Sequence, residues 1–444
     1  MSKLLLARRT AAAVLLALLI ACAPARTEAS AAPGGPVLIR NVTVIDGSGA
    51  PPVPARDVLI SGGRIAAVAP PGLSGAPADA ERIDGTGKFL IPGLIDSHVH
   101  LHTRRRDPGM IEEILGLVLR GGVTTIRDMG GNGAALAPLA ERARDPAVDS
   151  PDILLSTLVT GPASPFWMSG EVGDYVAAGT AHGRSPWFRR LERAEDIPGL
   201  VAEARRFGAR GLKVHSGMAV ELLRPLADQA RGAGLAIWSH SRIGPATPGD
   251  AVDAGVTILS HADSLAYEGV SLADLGSSTN YVERTRRAMR ATPVGGPALG
   301  RLFEAMRARR ACLEPTLMVM GADNPSPHMA DYYAYSAAVT KRAHDMGVPI
   351  CAGTDAIGGS TPNLPTELAL FVRLIGLTPL EAIRAATSTN AAALGLTDRG
   401  LVRPGLRADL VLLAADPSAD IGNLRRVDAV FRAGRRLPPP PRRD

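Results

Sequence analysis

The sequence contains few aromatic residues, few lysines and few cysteines. Phe, Trp and Tyr make up only 4% of its 444 residues, which argues against nucleic-acid modules that stack bases on aromatic side chains. It has no Gly-X-Y repeat and no long charge run, which argues against collagen-like, coiled-coil and disordered chains. With 46% hydrophobic and 21% charged residues, the composition is that of an ordinary globular protein. The length allows about three domains. Since the other classes are disfavoured, we expect a catalytic protein.

The positive charge is modest and comes almost entirely from arginine. Only 4 of the 49 basic residues are lysines, and three of the 49 lie within residues 1–22. Without that segment, 46 basic and 43 acidic residues remain. This small excess of positive charge does not predict a nucleic acid or another polyanion as a partner. Because arginine supplies nearly all of the positive charge, a buried lysine needs a specific chemical reason.

Residues 1–22 have a basic start followed by an apolar stretch that is too short to span a bilayer, a pattern that predicts an export signal. This segment ends in Leu-Ile-Ala-Cys, which resembles the bacterial lipobox, where cleavage precedes a cysteine that becomes lipid-modified. The alternative is ordinary cleavage near Ala31. We therefore expect a bacterial lipoprotein that is lipidated at Cys22 and lies in the periplasm or at the outer membrane. Its contact with the membrane would be through this anchor alone.

The two remaining cysteines, Cys312 and Cys351, are far apart in the sequence. Two separated cysteines make neither a disulfide framework nor a zinc site. We expect both to be buried thiols.

The two ends of the chain have short segments of alternating polarity, which predict β-strands, whereas the middle alternates apolar strands with amphipathic helices. Eight strand candidates lie at 94–100, 123–128, 153–160, 211–215, 235–240, 256–261, 312–316 and 349–355. They predict an α/β fold with a (β/α)8 TIM barrel, in which insertions at 161–200 and 264–300 would overhang the C-terminal face as candidate lids. The expected organisation is a signal peptide at 1–22, a linker at 23–36, a composite β-sandwich domain from 37–93 and 396–437, the barrel at 94–395 and a Pro-rich tail at 438–444.

Metal-compatible side chains lie at the ends of five predicted barrel strands. His98 and His100 are two residues apart on the first strand, so their side chains point to the same face and can share a metal ion. Four further strands among the eight predicted end in metal-compatible residues, namely Lys213, His240, His261 and Asp355. Hydrogen-bonded core histidines and a helix-capping aspartate would explain any one of these residues, but they explain the whole set poorly. The C-terminal ends of barrel strands are where such folds carry their chemistry, so we predict a metal site there.

Several segments that carry these residues resemble the amidohydrolase superfamily, specifically its imidazolonepropionase-like or prolidase-like metal-dependent hydrolases. The resemblance extends from about Val37 to Leu437. The motifs that carry it are FLIPGLIDSHVH, GGVTTIRDMGG, GLKVH, IWSH, AVDAGVTILSH, GVPICAGTD, EAIRAATSTNAAALGL and GLRADLVLL.

The resemblance implies a centre with two metal ions. His98, His100 and Asp355 would hold one ion, while His240 and His261 would hold the second. Lys213 would bridge the two ions as a carbamate, because a neutral lysine amine can add CO2 whereas arginine cannot. Asp355 would also be the catalytic proton shuttle, taking a proton from water and passing it to the leaving nitrogen. Zinc is the first choice of metal, although Mn, Co or Fe could occupy the same ligands.

Other roles stay open for two of these positions. Lys213 has the alternatives of a substrate-binding cation or a surface lysine. His215 shares a face with Lys213, and it is either a substitute metal ligand or a group that supports the ligands.

Contacts with substrate are less clearly encoded. Arg242 follows the fifth strand and could clamp a substrate carboxylate, as could the run of arginines at 104–106, for which solvated loop charges are the alternative. Trp167 and Trp187 give the first insertion an apolar surface that either packs on the barrel or covers a ligand. We predict substrate contacts for Arg242, His215 and Trp167, and we assign no binding role to His182.

These observations support a metal-dependent hydrolase that cleaves the C–N amide bond of a dipeptide, N-acyl amino acid or related small molecule. Two alternatives are kept. One is a mononuclear deaminase or cyclic-amide hydrolase in which Lys213 is not carbamylated. The other is a non-catalytic ligand-binding lipoprotein on the same fold, which has no physical need for the complete ligand set.

Overall fold

The structure, a computed structural model, describes most of the chain beyond residue 33. The described residues are 34–102, 108–164, 183–271, 275, 280–319, 329–357 and 362–437. Several predictions fall outside them: the signal peptide with Cys22, most of the linker, the arginines at 104–106, Trp167, His182 and the Pro-rich tail.

The first described part of the chain is a β-structure with five strands. They are β1 (Val37–Val44), β2 (Val53–Ser61), β3 (Arg64–Ala69), β4 (Glu81–Asp84) and β5 (Phe89–Pro92). The first three pair as an antiparallel meander, whereas β4 and β5 pair with β1 in parallel. The alternating sequence of β1 turns its apolar side chains toward a common core, because successive residues of a strand face opposite sides.

A curled parallel sheet forms the middle of the chain. Its strands are β6 (Leu94–His100), β7 (Val123–Asp128), β8 (Asp152–Thr160), β11 (Gly211–Val214), β12 (Ala236–His240), β13 (Ile258–Ser260) and β14 (Cys312–Glu314). A small hairpin of β9 (Arg184–Ser185) and β10 (Phe188–Arg190) extends β8, and β15 (Ala356–Ile357) pairs with β6. All six residues of β7 are buried, as expected for a sheet with helices on its outer face.

The segment 349–355 takes the eighth position and closes the sheet. On one side, Cys351 N donates to Leu313 O at 2.8 Å, and on the other side Asp355 N donates to His98 O at 2.8 Å. The predicted (β/α)8 barrel is therefore confirmed. The predicted strand at 256–261 is shorter in the structure, where β13 covers three residues.

Helices follow the strands around the outside of the barrel. They are α1 (Pro108–Arg120), α2 (Gly133–Arg142), α3 (Ile197–Phe207), α4 (Val220–Gly232), α5 (Pro248–Ala254), α6 (Tyr281–Ala291), α7 (Pro297–Arg309), α8 (Ala330–Asp345), α9 (Leu364–Leu370), α10 (Pro379–Arg384) and α11 (Asn390–Ala393). Short 3₁₀-helices lie at Ala194–Asp196, Ala262–Gly269 and Ile421–Arg425, and π-helical turns at Phe371–Ile375 and Ala385–Thr389. Among the residues described, none of these helices has both the length and the apolarity needed to cross a membrane.

Helix α5 shows how local sequence determines these boundaries. Thr247 and Asp250 form a reciprocal capping box at its start, with Pro248 in the first helical turn. Gly255 ends the helix with a φ of 94°, a left-handed conformation that favours glycine. The chain then turns directly into β13, and His261 follows immediately after the last residue of this strand.

The last strands return to the first β-structure. β16 (Leu410–Leu413), β17 (Val427–Arg432) and β18 (Arg435–Leu437) continue the sheet, because β16 pairs antiparallel with β5. The sheet order is β18-β17-β16-β5-β1-β2-β3, so the two ends of the chain build one composite unit as predicted.

Asp152, at the start of β8, joins this unit to the barrel. Arg399 Nη1 and Arg432 Nη2 donate to its carboxylate at 2.6 and 2.7 Å, and Arg407 also binds it. Burial favours a higher pKa for Asp152, but the three guanidinium groups outweigh burial and lower its pKa below the ordinary value. These contacts fix the β-unit near the N-terminal ends of the barrel strands, away from the predicted metal site.

The expectation of two buried thiols is wrong. Cys312 and Cys351 form a disulfide, with their Cα atoms 5.9 Å apart. Both residues are fully buried. They become neighbours because β14 and the segment 349–355 lie side by side in the barrel, although 39 residues separate them in sequence.

Candidate metal centre

Three of the predicted ligands meet at the junction of the first and eighth barrel positions. His98 and His100 project from β6, and the Nε2 atom of each lies 3.3 Å from Oδ1 of Asp355. Potential ligand atoms of these three residues all lie within 4.8 Å of one another. This is the set that the family resemblance assigned to the first metal ion.

The buried polar atoms of this group fit a cation. Nε2 of His98 and Oδ1 of Asp355 are both buried and have no hydrogen-bond partner among the described residues. Nδ1 of His98 lies 2.6 Å from Glu314 Oε2, and Nδ1 of His100 lies 2.7 Å from Gly130 O. Because carboxylate and carbonyl oxygens accept, each ring carries its proton on Nδ1, which leaves Nε2 as an electron-pair donor.

Two further imidazoles lie next to this group. The rings of His240 and His261 have centroids 4.5 Å apart in an edge-to-face arrangement, and the ring of His261 lies 5.1 Å from that of His98. His261 Nδ1 also contacts Thr316 Oγ1 at 2.9 Å. The structure thus places the predicted ligands of the second ion beside those of the first.

Lys213 lies among these imidazoles and is fully buried. Burial lowers the pKa of its amine from 10.5 to about 7, and the nearby Arg127 lowers it further against the effect of Glu314. Its Nζ donates to Ser260 Oγ at 2.8 Å. A substantial fraction of this amine is therefore neutral near pH 7, and neutrality is what addition of CO2 requires.

Burial also affects the other titratable groups in and beside this metal-ligand cluster, which consists of His98, His100, Lys213, His240, His261 and Asp355. It lowers the pKa values of His215 and His240 well below the ordinary histidine value, and positive neighbours lower them further. For Asp355, burial acts in the opposite direction, but the surrounding histidines prevail and lower the pKa of the carboxyl group. Burial would also lower the pKa of His100, but its contacts with Asp355 prevail and raise that pKa. The cluster therefore combines imidazoles that are mostly neutral with an ionised carboxylate, a donor set that suits a divalent cation such as zinc.

The chain adopts unusual backbone conformations where it delivers these side chains. His261 has a φ of 73°, Asp355 a φ of 51° and Thr316 a φ of 51°. Left-handed conformations are costly for residues other than glycine, and such strain concentrates at functional sites. All three residues lie at or just beyond the ends of neighbouring barrel strands.

Comparison with known proteins agrees with this geometry. Residues 89–437 match the model of the Amidohydrolase family, which covers more than half of the chain. The chain belongs to the amidohydrolase family. The predicted family, its hydrolase class and its metal dependence are thereby confirmed.

Individual relatives include enzymes with different names. An imidazolonepropionase from Cutibacterium acnes is 25% identical over 420 residues, which cover 86% of this amidohydrolase and 90% of the relative. A Bifidobacterium longum structure assigned as a prolidase has a TM-score of 0.69 at 25% identity, with 92% of this chain and 96% of that chain covered. A Xaa-Pro dipeptidase structure with bound methionine in its active site has a TM-score of 0.72 at 19% identity and covers 91% and 100% of the two chains.

Predicted substrate residues differ in where the amidohydrolase barrel places them. His215 lies beside the metal-ligand cluster, with its ring centroid 4.2 Å from that of His240. Arg242 contributes positive charge to the same region and lies over the Tyr267 ring at 5.8 Å. Trp187, by contrast, packs against Phe207 of α3 on the outside of the barrel, at 5.8 Å between ring centroids. Of the alternatives for Trp187, packing on the barrel is therefore the one observed.

Sequence reasoning missed a buried ion pair beneath the cluster. Glu314 of β14 and Arg127 of β7 are both fully buried, and Arg127 Nη2 donates to Glu314 Oε1 at 2.7 Å. Arg127 also lies over the Trp238 ring at 4.4 Å. The available signal was the presence of two opposite charges inside segments predicted as buried barrel strands, because buried charges are nearly always paired.

Proposed function

We propose that this amidohydrolase holds two divalent metal ions, with zinc as the preferred metal, and hydrolyses the C–N bond of a small amide. The observation that carries the proposal is the pair of buried, unpartnered atoms His98 Nε2 and Asp355 Oδ1, which lie 3.3 Å apart. Leaving such atoms unpaired in the protein interior is costly, and a cation would satisfy both.

His98, His100 and Asp355 would hold the first ion, and His240 and His261 the second. Lys213 would bridge them as a carbamate. In that step the neutral amine adds to CO2, an N–C bond forms, and one N–H proton leaves to water. The product has a single negative charge on two oxygens, as a bridging ligand requires. The low pKa of the buried amine supports this assignment.

Divalent ions bound here would lower the pKa of a coordinated water molecule, and their positive charge would polarise the substrate carbonyl. The protein contributes the proton transfers. Asp355 presents an ionised carboxylate within reach of both histidines of β6, so it can accept the proton of the attacking water. It then returns that proton to the leaving nitrogen, which departs as a neutral amine.

The substrate class that we propose is a dipeptide, an N-acyl amino acid or a related small amide. Support comes from the relatives named as a Xaa-Pro dipeptidase and a prolidase. Arg242 and His215 at the edge of the cluster would bind a substrate carboxylate, because a guanidinium matches the two oxygens of that group. The relatives give no support to the alternative of a non-catalytic, ligand-binding role.

A count of metal ions tests the proposal. Protein prepared with zinc and bicarbonate should contain close to two ions per chain, and His240→Ala with His261→Ala should leave about one. Metal analysis checks the number, and a colourimetric panel of dipeptides and N-acyl amino acids checks hydrolysis. Removal of metal by a chelator should abolish turnover, and zinc should restore it.

His344→Ala is the control, since His344 lies in α8 away from the cluster, and it should leave both ions in place. Wild-type protein that never exceeds one ion per chain would replace the binuclear centre by the mononuclear alternative. If protein that contains its full complement of metal ions hydrolyses none of the amides in the panel, the proposed substrate class is contradicted.

We also propose that the protein is exported and anchored by a lipid on Cys22. The disulfide between Cys312 and Cys351 supports an oxidising compartment. Cells that express the protein should incorporate a radioactive fatty acid into it, and it should sediment with membranes. Cys22→Ser should lose both properties while its turnover of soluble substrates is unchanged. An unprocessed chain in the cytoplasm would contradict the proposal.

A further inference from the structure

The carboxylate of Glu314 lies directly beneath both halves of the metal-ligand cluster. It is fully buried in the barrel, and its two oxygens receive four hydrogen bonds. Oε1 accepts from Ser97 Oγ and from Arg127 Nη2. Oε2 lies 2.6 Å from His98 Nδ1 and accepts from Ser260 Oγ at 2.8 Å. Since an ionised carboxylate offers about four acceptor positions, this group is saturated.

Oε2 of Glu314 connects residues assigned to different metal ions. One of its donors is the ring of His98, a ligand of the first ion. The other is Ser260 Oγ, which itself accepts from Lys213 Nζ at 2.8 Å. A single oxygen atom thus orients an imidazole of the first ion directly and the bridging lysine through one hydroxyl group.

We propose that Glu314 is a positioning residue for the whole metal centre. Its Oε2 atom holds His98 in the tautomer with the proton on Nδ1, so that Nε2 is available to the first ion. Through Ser260 the same oxygen fixes the direction of Lys213 Nζ. The inference rests on the proposed metal-binding function, but it concerns contacts that exist before any metal binds.

The hydrogen-bond chain is compatible with carbamylation of Lys213. Addition of CO2 removes one proton from the neutral amine and leaves one N–H on the nitrogen. That N–H can still donate to Ser260 Oγ, whose own proton continues to point to Glu314. The amine and the carbamate can therefore keep the same contact, which leaves the new oxygens free to face the ions.

Glu314→Gln gives a specific test because the direction of its amide group is constrained. Arg127 has only donors, so the amide oxygen must face Arg127 and the NH2 group must face His98. His98 would then accept on Nδ1 and carry its proton on Nε2, where that proton blocks the first ion. We expect metal-free Glu314→Gln to show this reversed tautomer and to bind its first zinc ion about 10- to 100-fold more weakly.

The tautomer is read from imidazole ¹⁵N shifts of metal-free, histidine-labelled protein, and the affinity from calorimetric titration with zinc. Asp409→Asn is the matched control, because Asp409 is also buried but accepts from the backbone N–H of Ala433 in the composite β-unit, away from the cluster. It should leave the His98 tautomer and zinc affinity unchanged. Ser260→Ala should keep the His98 tautomer but reduce the ¹³C signal of the Lys213 carbamate in labelled bicarbonate.

Metal-free wild-type protein gives a result even if Glu314→Gln does not fold. A proton on Nδ1 of His98 is expected there, and a proton on Nε2 would overturn the proposal. A folded Glu314→Gln variant with wild-type tautomer and zinc affinity would also overturn it. These measurements need no substrate, so a failure of the amide-hydrolysis proposal would be recognised separately.

Discussion

Replacing Lys213 by alanine is expected to reduce turnover by at least about 100-fold, the scale of losing one principal charge-stabilising group in an active site. The variant loses the anionic bridge between the two ions, and the second ion keeps only His240 and His261 from the cluster. Metal analysis should show a loss of the second ion. Short carboxylic acids such as acetate should partly restore turnover, because they can place two oxygens where the carbamate was.

Lys213→Arg separates a bridging role from a simple positive charge. Arginine keeps the charge but cannot add CO2, so this variant should be as inactive as Lys213→Ala. Lys341→Ala provides a control, since Lys341 is about half exposed and pairs with Asp345 on the surface of α8. It should retain full turnover. Near-normal turnover of Lys213→Arg would show that the residue acts only as a cation.

Replacing Asp355 by asparagine should have the largest effect, on the order of 1,000-fold or more, because general acid–base transfer alone contributes about 10²- to 10⁴-fold. The change removes both the proton acceptor and the anionic ligand that lies 3.3 Å from His98 and His100. Metal analysis should show loss of the first ion, and kcat should fall on every amide that the wild type cleaves.

The backbone at Asp355 makes asparagine the informative substitution. This residue has a φ of 51°, a conformation that asparagine adopts more readily than most residues. The metal-free variant should therefore have nearly the thermal stability of metal-free wild type, so that its loss of turnover reports charge and not backbone strain. Asp345→Asn on α8 is the surface control. A folded Asp355→Asn enzyme with more than a tenth of wild-type turnover would contradict the proposed proton shuttle.

The positions of the predicted ligands followed from local properties of the sequence. His98 and His100 are two residues apart on a strand, so they must face the same side whatever the strand packs against. The strand-and-helix alternation predicted a barrel, and the C-terminal ends of its strands converge at one mouth. His240, His261 and Asp355 lie where that reasoning places them, and the structure brings their side chains together with those of β6.

The contacts of Glu314 were not predictable in the same way. Its donors come from three other strands, and Arg127 is 187 residues away in sequence. Nothing in the local sequence around Glu314 indicates which buried donor it meets. The partner is decided only when β7 and β14 lie across the closed barrel from each other.

The disulfide, like the contacts of Glu314, could not be predicted from local sequence. Cys312 and Cys351 both lie in segments predicted as neighbouring strands, yet the sequence interpretation kept them as thiols. Adjacent strands bring two cysteines together only if their register matches, and here the backbone bonds of Cys351 with Leu313 set that register. The stagger of strands in a barrel is a property of its closure.

The barrel, the composite β-unit and the chain order of the metal-compatible residues thus follow from the amino-acid sequence, because strand periodicity and helix amphipathicity depend on local spacing. Only the folded chain shows that Glu314 contacts His98 directly and Lys213 through Ser260, that Cys312 joins Cys351, and that Trp187 packs outside the barrel. The physical reason is that side-chain direction repeats every two residues along a strand, whereas contacts across a barrel depend on register and closure of the whole sheet.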